Sequence, residues 1–307
     1  MVQENSIKPK IVIVTGPTGI GKSDVAIKIA KKFDGEVIGA DSMQIYRGLD
    51  IGTGKVTDEE KGNILHHMID IISPDMEFSV GDYVEMVRNK ILEISSKNKL
   101  PIIVGGTVFY INGLLGGMNF ACAPKDEKLR DELKKDAEHY GAQFVYDKLM
   151  SIDPISAQAI SPNDVKRVIR ALEIFYVTGK PKSEIATSSQ CEYDYKLLNL
   201  TEDRATLYSR IEARVDKMVE HGLVEEVNKY YKIKNCQSMQ AIGYKELIEY
   251  FDEKVDLEQA IDNIKINSRH YAKRQMTFIR SLKYDKVNIH CRDYDSIYAE
   301  ISQFLAK

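Results

Sequence analysis

Short runs of apolar, mostly β-branched residues alternate with helical patterns in the first hundred residues of the chain. Three such runs occupy positions 11–15, 36–40 and 100–104. Between the first two, apolar residues recur at helical spacing over 25–30, which is typical of an amphipathic helix. Strands that alternate with helices predict a parallel sheet with helical crossovers. We therefore expect an α/β fold with a parallel sheet core flanked by helices.

The pattern changes near residue 116. Charged amphipathic segments without a strand pattern follow one another at 126–139, 143–150 and 164–178. A strand pattern returns at 195–200. The sequence therefore predicts a core domain formed by 1–115 and 191–307, interrupted by a helical insertion domain at 116–190.

Length and composition limit the possible classes of protein. The chain has 307 residues, of which 43% are hydrophobic, which suits about two globular domains. It contains no run of 18 apolar residues, and the first ten residues are polar, so neither a membrane span nor a signal peptide is expected. The four cysteines lie far apart, at Cys122, Cys191, Cys236 and Cys291. This spacing favours reduced thiols in a cytoplasmic protein over disulfides or zinc ligands.

Charge is distributed unevenly along the chain. The net charge is −3, yet residues 265–286 carry a net charge of +6 and residues 164–182 a net charge of +3. Most of the first segment lies in a long predicted helix over 257–282, which precedes a predicted strand at 287–290. A basic face on an acidic body is the electrostatic footprint of a phosphodiester partner. A solvated helix face would look the same, so charge alone leaves both interpretations open.

The strongest motif follows the first predicted strand and opens the first predicted helix. It consists of Gly16, Pro17, Thr18, Gly19, Ile20, Gly21, Lys22 and Ser23. This spacing fits the phosphate-binding loop G-x-x-x-x-G-K-[ST] in its required strand–loop–helix context. Its backbone N–H groups and the helix N-terminus face phosphate oxygens, Lys22 adds a full charge, and the Ser23 hydroxyl can ligate Mg²⁺. The motif predicts a diphosphate or triphosphate ligand without deciding between them.

Polar residues follow two other predicted strands. Asp41 ends the second strand and is followed by Ser42, Met43 and Gln44, and Thr107 lies just beyond the third strand. Carboxyl ends of parallel strands share one edge of the sheet, so we expect these side chains near the phosphate-binding loop. An ordinary ATPase would place a Mg²⁺-holding acid after the third strand, where this chain has glycine.

Two further constellations leave alternatives open. His66 and His67 are adjacent, so on an extended chain they point to opposite faces, which favours structural roles over joint metal binding. Arg210 and Arg214 lie on one face of a predicted helix over 204–218. They could pair with nearby acids on the same helix, or one of them could reach the phosphates.

Taken together, these blocks resemble the tRNA dimethylallyltransferase family, also called tRNA isopentenyltransferases, over nearly the whole chain. Besides the phosphate-binding loop, the resemblance rests on blocks at 41–47, 50–53, 66–70, 104–107, 167–173, 240–245 and 271–275. The chain departs from the family pattern at Gly54, at Val108–Phe109 and at Phe278, which are changes of packing size. It also lacks the C-terminal Cys/His zinc element of eukaryotic relatives, which implies the short bacterial type.

The resemblance implies a reaction and roles for single residues. A dimethylallyl group would pass from dimethylallyl diphosphate to N6 of the adenosine 3′ of the anticodon, in tRNAs that read codons beginning with U. Asp41 matches the general base of the family, Thr107 its partner in positioning the amine, and Arg214 the arginine that reaches the diphosphate. Lys22 and Mg²⁺ at Ser23 would stabilise the leaving diphosphate. Gln44 could hydrogen-bond an adenine edge through both atoms of its amide.

The resemblance also implies tRNA-facing positions. They are Asp41, Ser42, Met43, Gln44, Thr107, Arg130, Lys166, Arg167, Val168, Ile169, Arg170, Gln240, Ala241, Ile242, Gly243, Tyr244 and Lys245. The basic segment adds Lys273 and Arg274, which would hold phosphates of the anticodon arm. We expect a monomeric, cytoplasmic enzyme without membrane contact. The motif leaves open whether ATP also binds the loop.

Three alternatives remain from the residues themselves. A small-molecule or nucleoside kinase would use the same loop but needs a metal-holding acid. An RNA-binding NTPase module without catalysis would leave Asp41 with only a structural role. A prenyltransferase that acts on a free adenine nucleotide would not need the basic segment or the helical insertion, which favour RNA.

Overall fold

The structure is a computed structural model that describes residues 8–116, 125–185 and 191–307. Contacts within the chain divide it into two units. We call 1–115 with 192–307 the core unit and 116–191 the helical unit. The first boundary, between 115 and 116, is the one that the hydrophobic pattern predicts, and the second lies one residue later than predicted.

In the described residues the core unit contains one parallel sheet of six strands. The strands are β1 (Lys10–Thr15), β2 (Gly35–Gly39), β3 (His66–His67), β4 (Leu100–Val104), β5 (Asp194–Thr201) and β6 (Val287–His290). They lie in the order β3-β2-β4-β1-β5-β6. The central strand β1 pairs Val12 with Ile102 of β4 on one side and with Lys196 of β5 on the other. The predicted α/β fold with a parallel sheet is confirmed.

Helices follow the strands in the first part of the core unit. They are α1 (Lys22–Phe33), α2 (Asp58–Lys61), α3 (Val80–Ser96) and α4 (Val108–Leu114). The start of α3 is a capping box, in which Ser79 and Asp82 satisfy each other's backbone N–H groups. Ile29 of α1 packs with Val12 of β1 in the core, and both are fully buried.

The helical unit has its own hydrophobic core. Within 125–185 its longer elements are α5 (Glu127–Tyr140), α6 (Ala142–Ile152), α7 (Pro154–Gln158) and α8 (Val165–Thr178). Leu133, Val145, Leu149 and Leu172 are buried together at the centre. The predicted helical character of this segment is therefore present in the described residues.

The remaining helices return to the core unit. They are α9 (Arg204–Glu220), α10 (Leu223–Tyr230), α11 (Tyr244–Phe251), α12 (Leu257–Ser281) and α13 (Tyr294–Ala306). Because all six strands are parallel, the residues that follow β1, β2, β4 and β5 meet at one edge of the sheet. No helix among the described residues is both long and apolar enough to cross a membrane.

Candidate active site

The phosphate-binding loop connects β1 to α1 at the carboxyl edge of the sheet. Gly19 and Gly21 have φ of 78° and 93°, a left-handed conformation that strongly favours glycine. A Cβ at Gly19 would lie 2.8 Å from Ile211 of α9, so that helix packs directly against the loop. Lys22 Nζ donates to the carbonyl of Pro17 at 2.9 Å, which holds the ammonium over the loop.

Lys22, Ser23 and Asp41 line one cavity at this edge, together with Gln44 and Gly105. The sequence predicts this meeting of the first and second strand ends. The lining also includes aliphatic side chains, namely Val37, Val56, Ile69 and Val104. The cavity thus combines a phosphate-binding loop, a carboxylate and an apolar wall.

Two cations and one carboxylate interact across the cavity. Burial lowers the pKa of Lys22 to about 8, while the Asp41 charge opposes this fall and the Arg214 charge adds to it. Burial also lowers the pKa of Arg214, again opposed by Asp41. Arg214 Nη1 donates to Thr18 Oγ1 at 3.3 Å, which brings the guanidinium to the phosphate-binding loop. The local charge is positive, which suits an anionic ligand.

Asp41 and Thr107 are fixed by the backbone that follows β2. Asp41 Oδ1 accepts from the Met43 N–H at 2.9 Å, and Thr107 Oγ1 accepts from the Ser42 N–H at 3.0 Å. The Thr107 hydroxyl donates to Ser42 Oγ at 3.3 Å. These bonds join the ends of β2 and β4, as the sequence predicts for the two strand exits.

Gln44 departs from its expected role. Its Nε2 donates to the carbonyls of Thr53 and Gly54, at 3.1 and 3.2 Å. Both N–H groups of the amide are therefore satisfied within the protein, and only Oε1 remains to accept from a ligand. The expected pairing of both amide atoms with an adenine edge does not fit this conformation.

Two residues of α12 belong to the site and have no role in the sequence prediction. Gln275 is 4% exposed. Its Oε1 accepts from the Thr18 N–H and its Nε2 donates to the Gly106 carbonyl, both at 2.8 Å. Burial and the Asp41 charge raise the pKa of Tyr271 to about 12. In the sequence, both residues stand out only as members of the family block at 271–275, and no function is expected of either side chain.

The alternatives for the two arginines of α9 are resolved by their partners. Arg210 pairs with Glu202 at 2.7 Å rather than with an acid of its own helix. The two acids of α9 pair instead with α12, as Asp216 with Lys265 and Glu212 with Arg269. Arg214 is thus left to the phosphate-binding loop, the second of the two open possibilities.

The basic helix α12 presents an exposed groove beyond these ion pairs. The groove is lined by His270, Lys273, Arg274, Thr277, Phe278 and Ser281. Lys273 and Arg274 are exposed, and neither forms an ion pair with another residue in the part of the chain described. Both side chains are therefore placed to meet an external anion.

In the helical unit, the expected RNA-facing residues fall into three groups. Lys166 and Arg167 are exposed at the start of α8. Val168 and Ile169 lie in the hydrophobic core, so their side chains do not face RNA as expected. The two remaining residues, Arg130 and Arg170, both pair with the fully buried carboxylate of Glu173. Arg130 binds it through two N–H groups, at 2.9 and 3.0 Å, and Arg170 binds it at 2.5 Å.

The block at 240–245 is also mixed. Gln240 and Lys245 are exposed, Ala241 and Ile242 are partly buried, and Gly243 is buried. Tyr244 is fully buried, so the expectation that its side chain faces tRNA does not hold. Its hydroxyl donates to Glu226 at 2.5 Å inside the core unit.

Among the residues that the structure describes, histidines and cysteines do not form a clear metal site. His67 Nε2 lies 2.7 Å from Glu36 Oε2, and His66 lines the cavity, so the two rings face opposite ways as predicted. Cys191 and Cys236 form no disulfide in the described part of the chain, and Cys122 lies outside that part. Glu202, His290 and Cys291 are close enough to share an ion. However, the guanidinium of Arg210 already contacts Glu202 and Cys291 and supplies the positive charge there.

Comparisons with known proteins agree on one family. A family model described as IPP transferase matches residues 44–282. The chain is 45% identical to a tRNA dimethylallyltransferase of Halalkalibacterium halodurans, covering 98% of both chains. It is 47% identical to a tRNA dimethylallyltransferase of Bacillus subtilis, covering 90% of both.

Solved structures give the same result. The crystal structure of a full-length tRNA isopentenylpyrophosphate transferase from Bacillus halodurans superposes with a TM-score of 0.71 at 45% identity, covering 97% of this chain and 96% of that one. A eukaryotic dimethylallyltransferase acting on tRNA superposes with a TM-score of 0.83 at 32% identity. That match covers 96% of this chain and 77% of the eukaryotic one.

Proposed function

This chain belongs to the IPP transferase family of tRNA dimethylallyltransferases, and from that membership we propose the reaction of its cavity. A dimethylallyl group passes from dimethylallyl diphosphate to N6 of the adenosine 3′ of the anticodon, in tRNAs that read codons beginning with U. The products are N6-dimethylallyl-adenosine and diphosphate. One observation carries the proposal, namely the cavity that Lys22, Ser23 and Asp41 line together.

The phosphate-binding loop acts on a leaving group in this reaction. As the C1–O bond of the donor breaks, positive charge develops on the allyl group and negative charge on the diphosphate. The loop N–H groups, Lys22 and Arg214 stabilise the diphosphate. The aliphatic wall of the cavity, with Val56 and Ile69 among its members, suits the apolar five-carbon group.

Asp41 acts as the general base. An adenine N6 amine is a poor nucleophile because its lone pair is delocalised into the ring. Removing its proton as the new N–C bond forms assists attack, an effect that is typically worth about 10²–10⁴-fold. Asp41 takes this proton, and Thr107 orients the amine. The adenosine must leave its base stack to reach the cavity.

Mg²⁺ fits the residues at the phosphate end of the cavity. The Ser23 hydroxyl follows Lys22 in the position that binds Mg²⁺ in phosphate-binding loops, and the diphosphate would provide further oxygen ligands. When bound, Mg²⁺ would neutralise part of the charge that develops on the diphosphate. The glycine at position 105, where ATPases carry a metal-holding acid, favours prenyl transfer over phosphoryl transfer.

The RNA contacts are proposed for exposed basic side chains. Lys273 and Arg274 of α12 and Lys166 and Arg167 of α8 bind phosphates of the anticodon arm. Such contacts are strongly salt-dependent. A tRNA substrate is consistent with the predicted cytoplasmic location, and both the location and the monomeric state stay predictions.

A transfer assay tests this function. The purified protein, incubated with Mg²⁺, unmodified tRNA and radiolabelled dimethylallyl diphosphate, should move the label to tRNA and release one diphosphate for each group transferred. In parallel reactions, ATP labelled at its terminal phosphate is offered with tRNA or with adenosine as the acceptor, and neither acceptor should become labelled. A further reaction offers AMP in place of tRNA. Phosphorylation from ATP without prenyl transfer, or prenylation of AMP but not of tRNA, would contradict the proposal.

A further inference from the structure

A side-chain carboxylate far along the chain fills a ring of backbone N–H groups beside the cavity. Glu226 of α10 accepts from three consecutive residues of the turn 50–54. Its Oε2 accepts from the N–H groups of Asp50 and Ile51, at 2.8 and 2.9 Å, and its Oε1 from that of Gly52 at 3.0 Å. Successive N–H groups that converge in this way form an anion-binding nest. Here the anion belongs to the protein itself.

Tyr244 holds the same carboxylate from the other side. Its hydroxyl donates to Glu226 Oε1 at 2.5 Å. Burial and the neighbouring Glu226 charge raise the pKa of Tyr244 well above its usual range, so the hydroxyl stays a donor. A Cβ at Gly52 would lie 2.5 Å from the Tyr244 ring, which shows how closely the turn packs here. Glu226 therefore joins the turn to both α10 and α11.

The next residues of this turn hold two groups of the site. The Thr53 carbonyl accepts from Gln44 Nε2 at 3.1 Å and from Arg214 Nη2 at 3.5 Å. The Gly54 carbonyl accepts from Gln44 Nε2 at 3.2 Å. A Cβ at Gly54 would lie 1.8 Å from Arg214 Nη2, so the guanidinium rests against the turn.

We propose that Glu226 is a positioning residue for the transfer reaction, because its carboxylate fixes the turn 50–54 whose carbonyls orient Arg214 and Gln44. This inference rests on the proposed function. Arg214 binds the donor diphosphate, and its Nη1 already meets Thr18 Oγ1. A displaced turn therefore weakens donor binding through Arg214 and leaves the exposed RNA contacts of α12 intact.

The turn also has contacts that are independent of Glu226, so loss of Glu226 should loosen it without unfolding it. Lys55 Nζ contacts Asp50 Oδ1 at 2.6 Å and Asp70 Oδ1 at 2.5 Å. Thr53 Oγ1 donates to the Leu49 carbonyl at 2.6 Å. These contacts do not involve Glu226 and would remain.

Glu226→Gln is the most informative variant, because it keeps the shape of the side chain but replaces one accepting oxygen with an NH₂ group. This NH₂ group would face N–H or O–H groups that are themselves donors. We expect the KM for dimethylallyl diphosphate to rise about tenfold, as for loss of one hydrogen bond to a charged group, with the KM for tRNA unchanged. Glu225→Gln is the matched control, since the neighbouring Glu225 is exposed, and it should behave as the wild type. Tyr244→Phe removes one of the four donors and should have a smaller effect in the same direction.

A double-mutant cycle separates positioning from general destabilisation. In an Arg214→Ala background, Glu226→Gln should no longer change the KM for the donor, because the guanidinium that it orients is gone. An unchanged donor KM in Glu226→Gln alone, or full additivity in the cycle, would overturn the inference. Calorimetric binding of inorganic diphosphate to the same variants keeps the test independent of turnover. If the wild type fails to transfer the prenyl group, the proposed function fails, whereas equal diphosphate affinity of wild type and Glu226→Gln rejects the positioning role.

Discussion

At the scale of single residues, the cavity is a site where positive charge is held ready for an anion. Burial lowers the pKa of Lys22 and of Arg214. The charge of the Asp41 carboxylate opposes both shifts and so favours the charged form of each cation. A diphosphate would supply the counter-charge that both cations lack. Asp41 repels that anion and attracts the partly positive hydrogens of an amine. The charges therefore orient donor and acceptor as well as bind them.

The affinity for dimethylallyl diphosphate should fall as the pH rises through about 8. The pKa of Lys22 is lowered to about 8, so above that pH the ligand-free cavity loses one positive charge. Binding then requires proton uptake, and the dissociation constant should rise by up to about tenfold for each pH unit above the pKa. Calorimetry across this pH range measures the change. Lys22→Arg keeps its charge and should lack this dependence, and an equally steep rise in that variant would contradict the assignment.

Local motifs predict those residues of the site that lie close together in sequence. The phosphate-binding loop and the polar exits of the strands identify Lys22 and Asp41, because a strand end fixes where its next residues lie. Gln275 escapes this logic, since it bonds to a loop 257 positions away. Glu226 likewise meets Gly52 across 174 positions. No period or spacing encodes such a contact.

At the scale of elements, the basic residues of α12 divide into a paired set and an exposed set. Lys265 and Arg269 pair with acids of α9, so these charges hold two helices together. Lys273, Arg274 and Arg280 are exposed beyond them. In the sequence these five residues form one basic segment. The sequence does not show that Lys265 and Arg269 are neutralised, because their acidic partners lie on another helix. The exposed set is available to RNA.

Lys273→Ala combined with Arg274→Ala should raise the KM for tRNA and flatten its dependence on salt. If each side chain contacts one phosphate, the slope of log affinity against log salt should fall by about 1–2. Steady-state kinetics at several salt concentrations measure both quantities. Lys265→Ala is the control, because this side chain is committed to Asp216 and should leave the slope unchanged. An unaltered slope in the double variant would remove α12 from the RNA interface.

Elements with a clear apolar pattern are predictable from the sequence, and elements without one are not. The strands at 100–104 and 287–290 are confirmed at both ends, and the long basic helix to within one residue. The helices α4 and α10, of 7 and 8 residues, are not predicted, because their apolar residues show no clear helical period. The apolar residues after His67 do not extend β3, because Met68 and Asp70 adopt positive φ there.

At the scale of the whole molecule, each unit has its own source of stability. The core unit is built on a buried parallel sheet, whose carboxyl edge forms the cavity. The helical unit is organised around apolar side chains and includes the buried carboxylate of Glu173. The interruption of the parallel-sheet pattern indicates the boundary between units in the sequence. The role of Arg130 and Arg170 as partners of Glu173 is not visible there.

Glu173→Ala should destabilise the helical unit while leaving donor binding unchanged. Arg130 and Arg170 would lose their shared carboxylate, at a cost of about 1–3 kcal/mol, which is reduced because both arginines are partly exposed. Thermal unfolding and limited proteolysis measure the loss, and calorimetry with dimethylallyl diphosphate measures binding. Glu138→Ala replaces an exposed acid of α5 and serves as the control. Lost donor affinity would contradict the independence of the two units.

The central claim is that Asp41 takes the proton of the attacking amine beside a bound diphosphate. The most direct measurement is single-turnover transfer by Asp41→Asn, with donor and tRNA both saturating and Asp75→Asn, an exposed loop acid, as the control. The account predicts a rate about 10²–10⁴-fold below the wild type. Binding of donor and tRNA should be retained, and the control should be fully active. Transfer by Asp41→Asn at the wild-type rate would contradict it.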